Sequence, residues 1–234
     1  MNSDLPKVLC QVAGRPMIEF VVDAADRAGI EEKVVVVGYE ADLVKATLAR
    51  RNDPKLFFAE QHEQLGTGHA VQMCEPYLRE RSGVTLVVAG DSPLIQPSSL
   101  TRLIEHFQST RPALLLGTLK KDDPTGLGRI VRDEQGHFVG IVEHKDASET
   151  ERQICEVNMS TYLFDNAALL WALGQLDNKN AQGEYYLTDC AKLLSAAGRP
   201  VEALPVLQPC EALSINNPAE LEIVDQTMRT MGYA

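Results

Sequence analysis

Apolar and polar positions along this chain follow two alternating rhythms. After Gly14-Arg15-Pro16, residues Ile18, Val21, Val22 and Ala25 recur at helical spacing and stop near Gly29, which predicts an amphipathic helix. Lys33-Val34-Val35-Val36-Val37-Gly38 is a β-branched run closed by glycine, the pattern of a strand buried on both faces of a parallel sheet. The pattern then predicts a helix from Glu40 to Arg50, a short strand at Leu56–Ala59 and a helix from Thr67. A further strand, Val84–Ala89, runs straight into Gly90-Asp91-Ser92-Pro93. Strands and helices alternating in this way predict a doubly wound α/β sheet.

Past Ala113 the rhythm changes. Arg129–Arg132, a turn at Asp133-Glu134-Gln135-Gly136 and His137–Glu143 predict an antiparallel hairpin inserted beside the main sheet. A strand at Val157–Phe164, helices at Asn166–Gly174 and Leu187–Ala197, a strand at Val201–Val206 and a last helix from Pro218 complete the pattern. With no repeat, low-complexity tract or linker, the 234 residues read as one domain whose second half forms a lobe over the first.

Composition narrows the function classes. A net charge of -11 argues against a sequence-independent nucleic-acid binder, which needs clustered Lys and Arg. Five scattered cysteines without CxxC spacing predict neither a disulfide framework nor a zinc site and fit a reducing cytoplasm. No apolar run approaches the ~18 residues that span a bilayer, so no membrane partner is expected.

Ligands of open α/β sheets sit outside the carboxyl ends of the strands, so polar residues after strands carry the candidate chemistry. Asp91 either holds a divalent cation such as Mg²⁺, which takes one or two carboxylates, or caps the Asp-Ser-Pro turn. The stretch Gln61–Ala70 is either a glycine loop that lets Gln61 read a pyrimidine edge, or a plain loop with Thr67 as helix cap. Gly128 and Glu143 flank the hairpin and either grip sugar hydroxyls or form solvated turns. Asn158 on an apolar strand needs a partner, in the protein or in a ligand. Asn216-Asn217 reads first as a helix cap. His69, His106, His137 and His144 show no metal-ligand spacing, and no nucleophile constellation is evident. Phosphoryl and nucleotidyl transfer need none, since positioning and charge neutralisation suffice.

Taken in order, these loops carry a resemblance. DLPKVL (4–9), EQLGTGHA (63–70), GD-x-PLI (90–95), DDPTGLGRIV (122–131), GIVEHKDA (140–147), NAQGEYYLTD (180–189) and INNPAE (215–220) closely resemble the uridylyltransferase domain of the bacterial GlmU family, over essentially the whole chain. The resemblance implies an α/β fold with a Rossmann-like mixed nucleotidyltransferase sheet. It further implies residues 1–112 as a nucleotide-binding half and 113–234 as a sugar-binding half. The implied reaction joins UTP to N-acetylglucosamine 1-phosphate, giving UDP-N-acetylglucosamine and pyrophosphate, an early step toward peptidoglycan. By position, Lys7 neutralises phosphate charge and Asp91 with Asn216 holds Mg²⁺. Gln61 and Gly66 meet the uracil, with Gln64 and Thr67 lining the same pocket. Gly90, Gly128, Glu143, Asn158 and Asn216 contact the N-acetylglucosamine.

The chain also departs from that family. There, a central buried strand and a loop of the form LxAGxGTRM precede DLPK, and Met1 aligns with the last residue of that motif. The expectation is a native start upstream of Met1; the alternative is a catalytically impaired remnant that still binds the sugar nucleotide. Ala89 stands where the family has Tyr, which removes a ring near the sugar site. The family's C-terminal left-handed β-helix acetyltransferase domain has no counterpart in these residues, and homo-oligomerisation is left open.

Overall fold

A computed structural model describes residues 5–180, 182–213, 215 and 217–233. Its elements begin with β1 (Gln11–Val12), β2 (Arg15–Pro16), α1 (Met17–Arg27), β3 (Lys33–Val37), α2 (Ala41–Ala49), β4 (Leu56–Glu60), α3 (Thr67–Gln72), α4 (Glu75–Leu78) and β5 (Val84–Val87). They continue with α5 (Pro97–Thr110), β6 (Leu114–Lys120), β7 (Arg129–Arg132), β8 (Phe138–Val142), α6 (Glu149–Arg152), β9 (Glu156–Asp165), α7 (Asn166–Leu173), α8 (Asp189–Ala196), β10 (Val201–Leu204) and α9 (Pro218–Thr230). The residues cluster into two compact units: Met1–Glu60, Ala89–Thr101 and Gln208–Ala234 in one, Gln61–Val88 and Arg102–Leu207 in the other.

In the first unit α1 is buried along two stripes. Ile18 and Val22 join Leu9, Val37, Val44 and Leu48 in one cluster. Met17 and Phe20 join Val12, Leu94, Ile215, Val224 and Met228 in another. The tight hairpin β1–β2 turns through Ala13 (φ 46°) and Gly14 (φ 76°), both left-handed, as a two-residue turn that matches strand twist requires. The Ala13 amide, pinned in this strained turn, donates to Asp225 Oδ1 of α9 at 2.6 Å. β3 and β4 pair in parallel, Val34 opposite Phe57 and Val36 opposite Ala59. The expectation that β3 is buried on both faces is corrected here: Val34, Val35 and Val36 are half-buried and Val37 alone is fully buried. Among the described residues β3 has β4 as its one strand neighbour, so its β-branched run serves pairing and a single packed face, where Val35 joins the cluster that includes Val37.

The second unit is built on a mixed six-stranded sheet in the order β10-β6-β9-β7-β8, with β5 also on β9. β10 runs parallel to β6 and the other pairings are antiparallel. The predicted hairpin forms as β7–β8, but it belongs to this sheet through β7 and β9 rather than lying beside it. Leu114, Leu116, Tyr162 and Phe164 are buried together with Ala168, Leu169, Ala172 and Leu173 of α7 and Cys190, Ala191 and Leu194 of α8. Two longer elements, α5 and β6, carry no assignment in the sequence analysis, nor do the short β1, β2 and α6. β6 is buried at six consecutive residues, and a short run apolar on both faces has no period to read. None of the described helices is long and apolar enough to cross a membrane.

Candidate active site

In the first unit the chain leaves Pro6 through a 3₁₀ turn over Lys7–Leu9, and the Lys7 ammonium donates to Asp91 Oδ2 at 2.6 Å. Asp91 sits four residues past β5 on a tight turn in which Ser92 N donates to Ala89 O at 3.3 Å and Ile95 N to Ser92 O at 3.1 Å. Its side chain pairs with the lysine rather than capping that turn. Gly90 is close-packed on α1: a Cβ there would lie 3.0 Å from Ile18 Cδ1. A buried carboxylate anchors the same stretch. Glu211 accepts from Ser99 Oγ at 2.6 Å, Gln96 N at 3.0 Å and Gln208 N at 2.6 Å, and burial raises its pKa. It thereby ties the segment after Asp91 to the segment leading into α9. Asn216 lies outside the described residues. Its neighbours are placed: Ile215 is fully buried, and Asn217 caps α9 by accepting from Glu220 N at 3.0 Å. The helix cap expected of this pair therefore belongs to Asn217.

In the second unit Gln61 and Gly66 meet at the neck of the glycine loop. Gln61 Nε2 lies 3.1 Å from Gly66 O and 3.0 Å from His69 Nδ1. The loop is fastened to the segment before α8 by Gly68 N to Tyr185 O (2.7 Å), Tyr185 N to Leu65 O (2.8 Å) and Leu187 N to Thr67 Oγ1 (3.1 Å). Gly66 is left-handed at φ +110°, and a Cβ there would lie 2.6 Å from Tyr185 O, so both backbone shape and close approach exclude a side chain. The Thr67 cap is corrected: Gly66 holds the cap position, and the threonine hydroxyl serves Leu187 instead. Gln64 on the loop and Thr67 at the start of α3 are exposed.

Gly128, Glu143 and Asn158 come together in the same unit. Gly128 O accepts from Asn158 N at 2.9 Å, and a Cβ on Gly128 would stand 3.4 Å from Glu143 Oε2. Asn158 is buried, and its Nδ2 donates to Tyr162 Oη at 2.8 Å. A bulge beside it sets this geometry: Thr118 faces Asn158 while its neighbour Gly117 faces Thr161, and Ser160 between them is left-handed at φ 52°. Burial raises the pKa of Glu143, with the charges of Asp146 and Asp189 adding to it and Thr188 opposing. Burial likewise pushes the Tyr162 hydroxyl up to about 12. Arg129 is fully buried beneath this cluster, donating to the Leu127 carbonyl and, at 3.4 Å, to the Arg152 carbonyl, with His144 Nδ1 3.3 Å away.

Comparison with known proteins decides the family. The family model for nucleotidyl transferases matches residues 1–206. The chain belongs to the nucleotidyl transferase family. It is 45% identical over 229 residues to the bifunctional protein GlmU of Geobacillus sp. strain WCH70, covering 98% of this chain and 49% of that protein. Against the bifunctional protein GlmU of Streptococcus mutans the identity is 44% with the same coverage. The chain thus spans about half the length of the curated relatives it matches. Among solved structures, HddC from Yersinia pseudotuberculosis superposes with a TM-score of 0.70 at 18% identity, over 97% of this chain and 92% of that one. A UDP-glucose pyrophosphorylase complexed with UDP-glucose gives 0.75 at 16%, over 97% and 91%. These two establish the mixed-sheet nucleotidyltransferase fold.

For a nucleotidyl transferase the donor set around Asp91 is apt. The family works with a divalent metal, and Asp91 offers a part-exposed carboxylate with Oδ2 on Lys7 and Oδ1 to spare. No group of three His, Cys, Asp or Glu that would cage an ion occurs among the described residues. One hard oxygen ligand with room for phosphate oxygens fits a magnesium-like ion and does not fit an all-protein site. Sequence reasoning passed over four residues of these clusters: His69, Arg129, Tyr162 and Thr188. Spacing could have drawn attention to Tyr162, because i and i+4 share a face of a strand, while Arg129 adjoins Gly128 and His69 follows Gly66 closely on α3; Thr188 alone comes from a distant segment.

Proposed function

We propose that the chain catalyses uridylyl transfer from UTP to N-acetylglucosamine 1-phosphate, releasing pyrophosphate and UDP-N-acetylglucosamine. The observation that carries this reading is that one segment, 185–188, serves both clusters of the second unit. Its backbone holds the Gln61–Gly66 loop, and Thr188 acts on Glu143. These are the groups that the motif resemblance assigns to uracil and to sugar, and the relatives named GlmU share the chain from end to end.

In this reading Gln61 and Gly66 hold the base, with Gln64 and Thr67 along the same loop. Gly128, Glu143 and Asn158 hold the N-acetylglucosamine: the carboxylate accepts from a hydroxyl or amide, and the Asn158 amide, steadied by Tyr162, offers its remaining donor. Gly90 and Asn216 complete the sugar contacts. Lys7 offsets phosphate charge, and Asp91 with Asn216 would hold Mg²⁺, which when bound neutralises charge on the phosphate oxygens. A phosphate oxygen of the sugar attacks the α-phosphorus in line; that P–O bond forms as the bond to the bridging oxygen of pyrophosphate breaks. The protein contributes positioning and charge, with no covalent intermediate. Such substrates place the protein in the cytoplasm.

The test is calorimetry and pyrophosphate release on the complete protein. UDP-N-acetylglucosamine should bind at least about tenfold more tightly than UDP-glucose, given an acetamido group held by a buried amide. Pyrophosphate release should require UTP and N-acetylglucosamine 1-phosphate together. Equal binding of the two sugar nucleotides, or turnover with glucose 1-phosphate as the better substrate, overturns the proposal.

A further inference from the structure

The Gln61 side chain has its polarity imposed by two neighbours. Its Nε2 lies 3.1 Å from the Gly66 carbonyl, and a carbonyl oxygen only accepts, so this atom of the amide is the nitrogen. The same nitrogen lies 3.0 Å from His69 Nδ1. An amide nitrogen carries two hydrogens, and here both have a target; His69 is therefore the tautomer with its proton on Nε2 and a lone pair on Nδ1. The ring rides on α3 and lies beside Tyr185, centroids 6.2 Å apart at an interplanar angle of 33°, while Tyr185 N is bonded to Leu65 O. With both hydrogens committed, Gln61 turns only an acceptor, Oε1, toward a ligand.

We infer that His69 is a specificity-determining positioning residue: by fixing the Gln61 amide with both N–H groups engaged, it makes the pocket select a base whose ring nitrogen donates. This inference rests on the uridylyl reading above and deepens it. Uracil and thymine carry such an imide N3–H, whereas cytosine presents a lone pair at N3 and meets Oε1 as acceptor against acceptor. An amide free to rotate would accommodate either base. The lock is what removes that tolerance: rotating the amide by half a turn would point Oε1 at the Gly66 carbonyl, and His69 could meet it only by moving its ring proton from Nε2 to Nδ1.

The experiment measures dissociation constants of UTP, CTP and ATP with the complete protein, natural and substituted. The natural protein should bind CTP about 100-fold more weakly than UTP, the scale expected when a ring donor is replaced by a lone pair facing a fixed acceptor in a part-exposed pocket. H69F keeps a ring beside Tyr185 and removes the acceptor, and should shrink the UTP/CTP ratio at least about tenfold. H69N places an amide oxygen near the former Nδ1 and should hold the ratio within about threefold of natural. A probe that needs no variant is UTP methylated at N3, which the natural protein should bind at least about tenfold more weakly than UTP. An unchanged ratio in H69F, a loss in H69N as large as in H69F, or equal binding of UTP and its N3-methyl analogue overturns the inference. Lack of preference for UTP over ATP in the natural protein would count instead against the uridylyl reading.

Discussion

Lys7 and Asp91, 84 residues apart in the chain, meet at 2.6 Å, each about a third exposed. Such a pair adds little stability, about 1 kcal/mol at most. Its chemistry is the larger matter. Asp91→Asn keeps the volume and removes the charge, so the melting temperature should fall by less than about 4 °C. The gain in UTP affinity on adding Mg²⁺ should disappear, and turnover in the complete protein should drop about 10²–10³-fold. Calorimetry with and without Mg²⁺ checks this, and a magnesium response that survives in Asp91→Asn removes Asp91 from the metal site.

Glu143 titrates above the ordinary glutamate value because of burial, then Asp146 and Asp189. The folded chain thus holds this proton to higher pH than the unfolded one. The group's contribution to stability is complete below the unfolded value and is lost as pH rises through the folded one. For binding the proton acts the other way, since it occupies an acceptor meant for the sugar. Affinity for UDP-N-acetylglucosamine should therefore decline on acidification at a higher pH than an unperturbed carboxylate would dictate. Glu143→Gln should bind more weakly and show a flat profile over the same window; a matching acid decline in that variant would assign the titration to another group.

Gly66→Ala forces a Cβ to within 2.6 Å of the Tyr185 carbonyl at φ +110°. Strain of this kind costs about 1–3 kcal/mol. The loop should relieve it by releasing its bonds to Tyr185, and the expected signs are faster amide exchange at Tyr185 and Gly68 together with weaker UTP binding. Gly136→Ala, also left-handed but with open space around its Cβ site, should leave exchange at these two amides unchanged.

Arg132 grips Glu156 with two bonds, Nε to Oε2 at 2.7 Å and Nη2 to Oε1 at 2.6 Å, while Thr118 donates to Oε1 at 2.6 Å. Burial alone would raise the Glu156 pKa, but Arg132 and Thr118 bring it below the ordinary value. Its stabilising effect is present above the unfolded value and lost as pH falls through the folded one. Arg132→Ala strands a buried carboxylate and should cost about 2–4 kcal/mol in urea titration, somewhat below a fully buried pair because Arg132 keeps part of its surface. The same variant should flatten the acid limb of stability, and an acid limb as steep as the natural one would place its origin elsewhere.

The local elements were legible in the chain because each is written over a few adjacent residues. The valine run of β3, the helical spacing of α1 and the turn ahead of β8 need no distant partner to be recognised. The order of the loop motifs likewise carried the family, and with it Lys7, Asp91, Gln61, Gly128, Glu143 and Asn158 as candidates. β6 and α5 escaped since their apolar residues answer to contacts made across the sheet: Gly117 is small because Leu103 Cδ1 would lie 2.9 Å from a Cβ there. Whether Asp91 capped its turn or faced a lysine, and whether Thr67 capped α3 or held Leu187, depended on residues 84 and 120 positions away. The valines of β3 read as fully buried and only Val37 is, because burial depends on how many strands stand beside a strand, a count its own side chains do not contain. Donor and acceptor direction at Gln61 is of the same kind. An amide is symmetric in shape and opposite in polarity at its two ends, so only the neighbours that close around it, Gly66 and His69, decide which end a ligand meets.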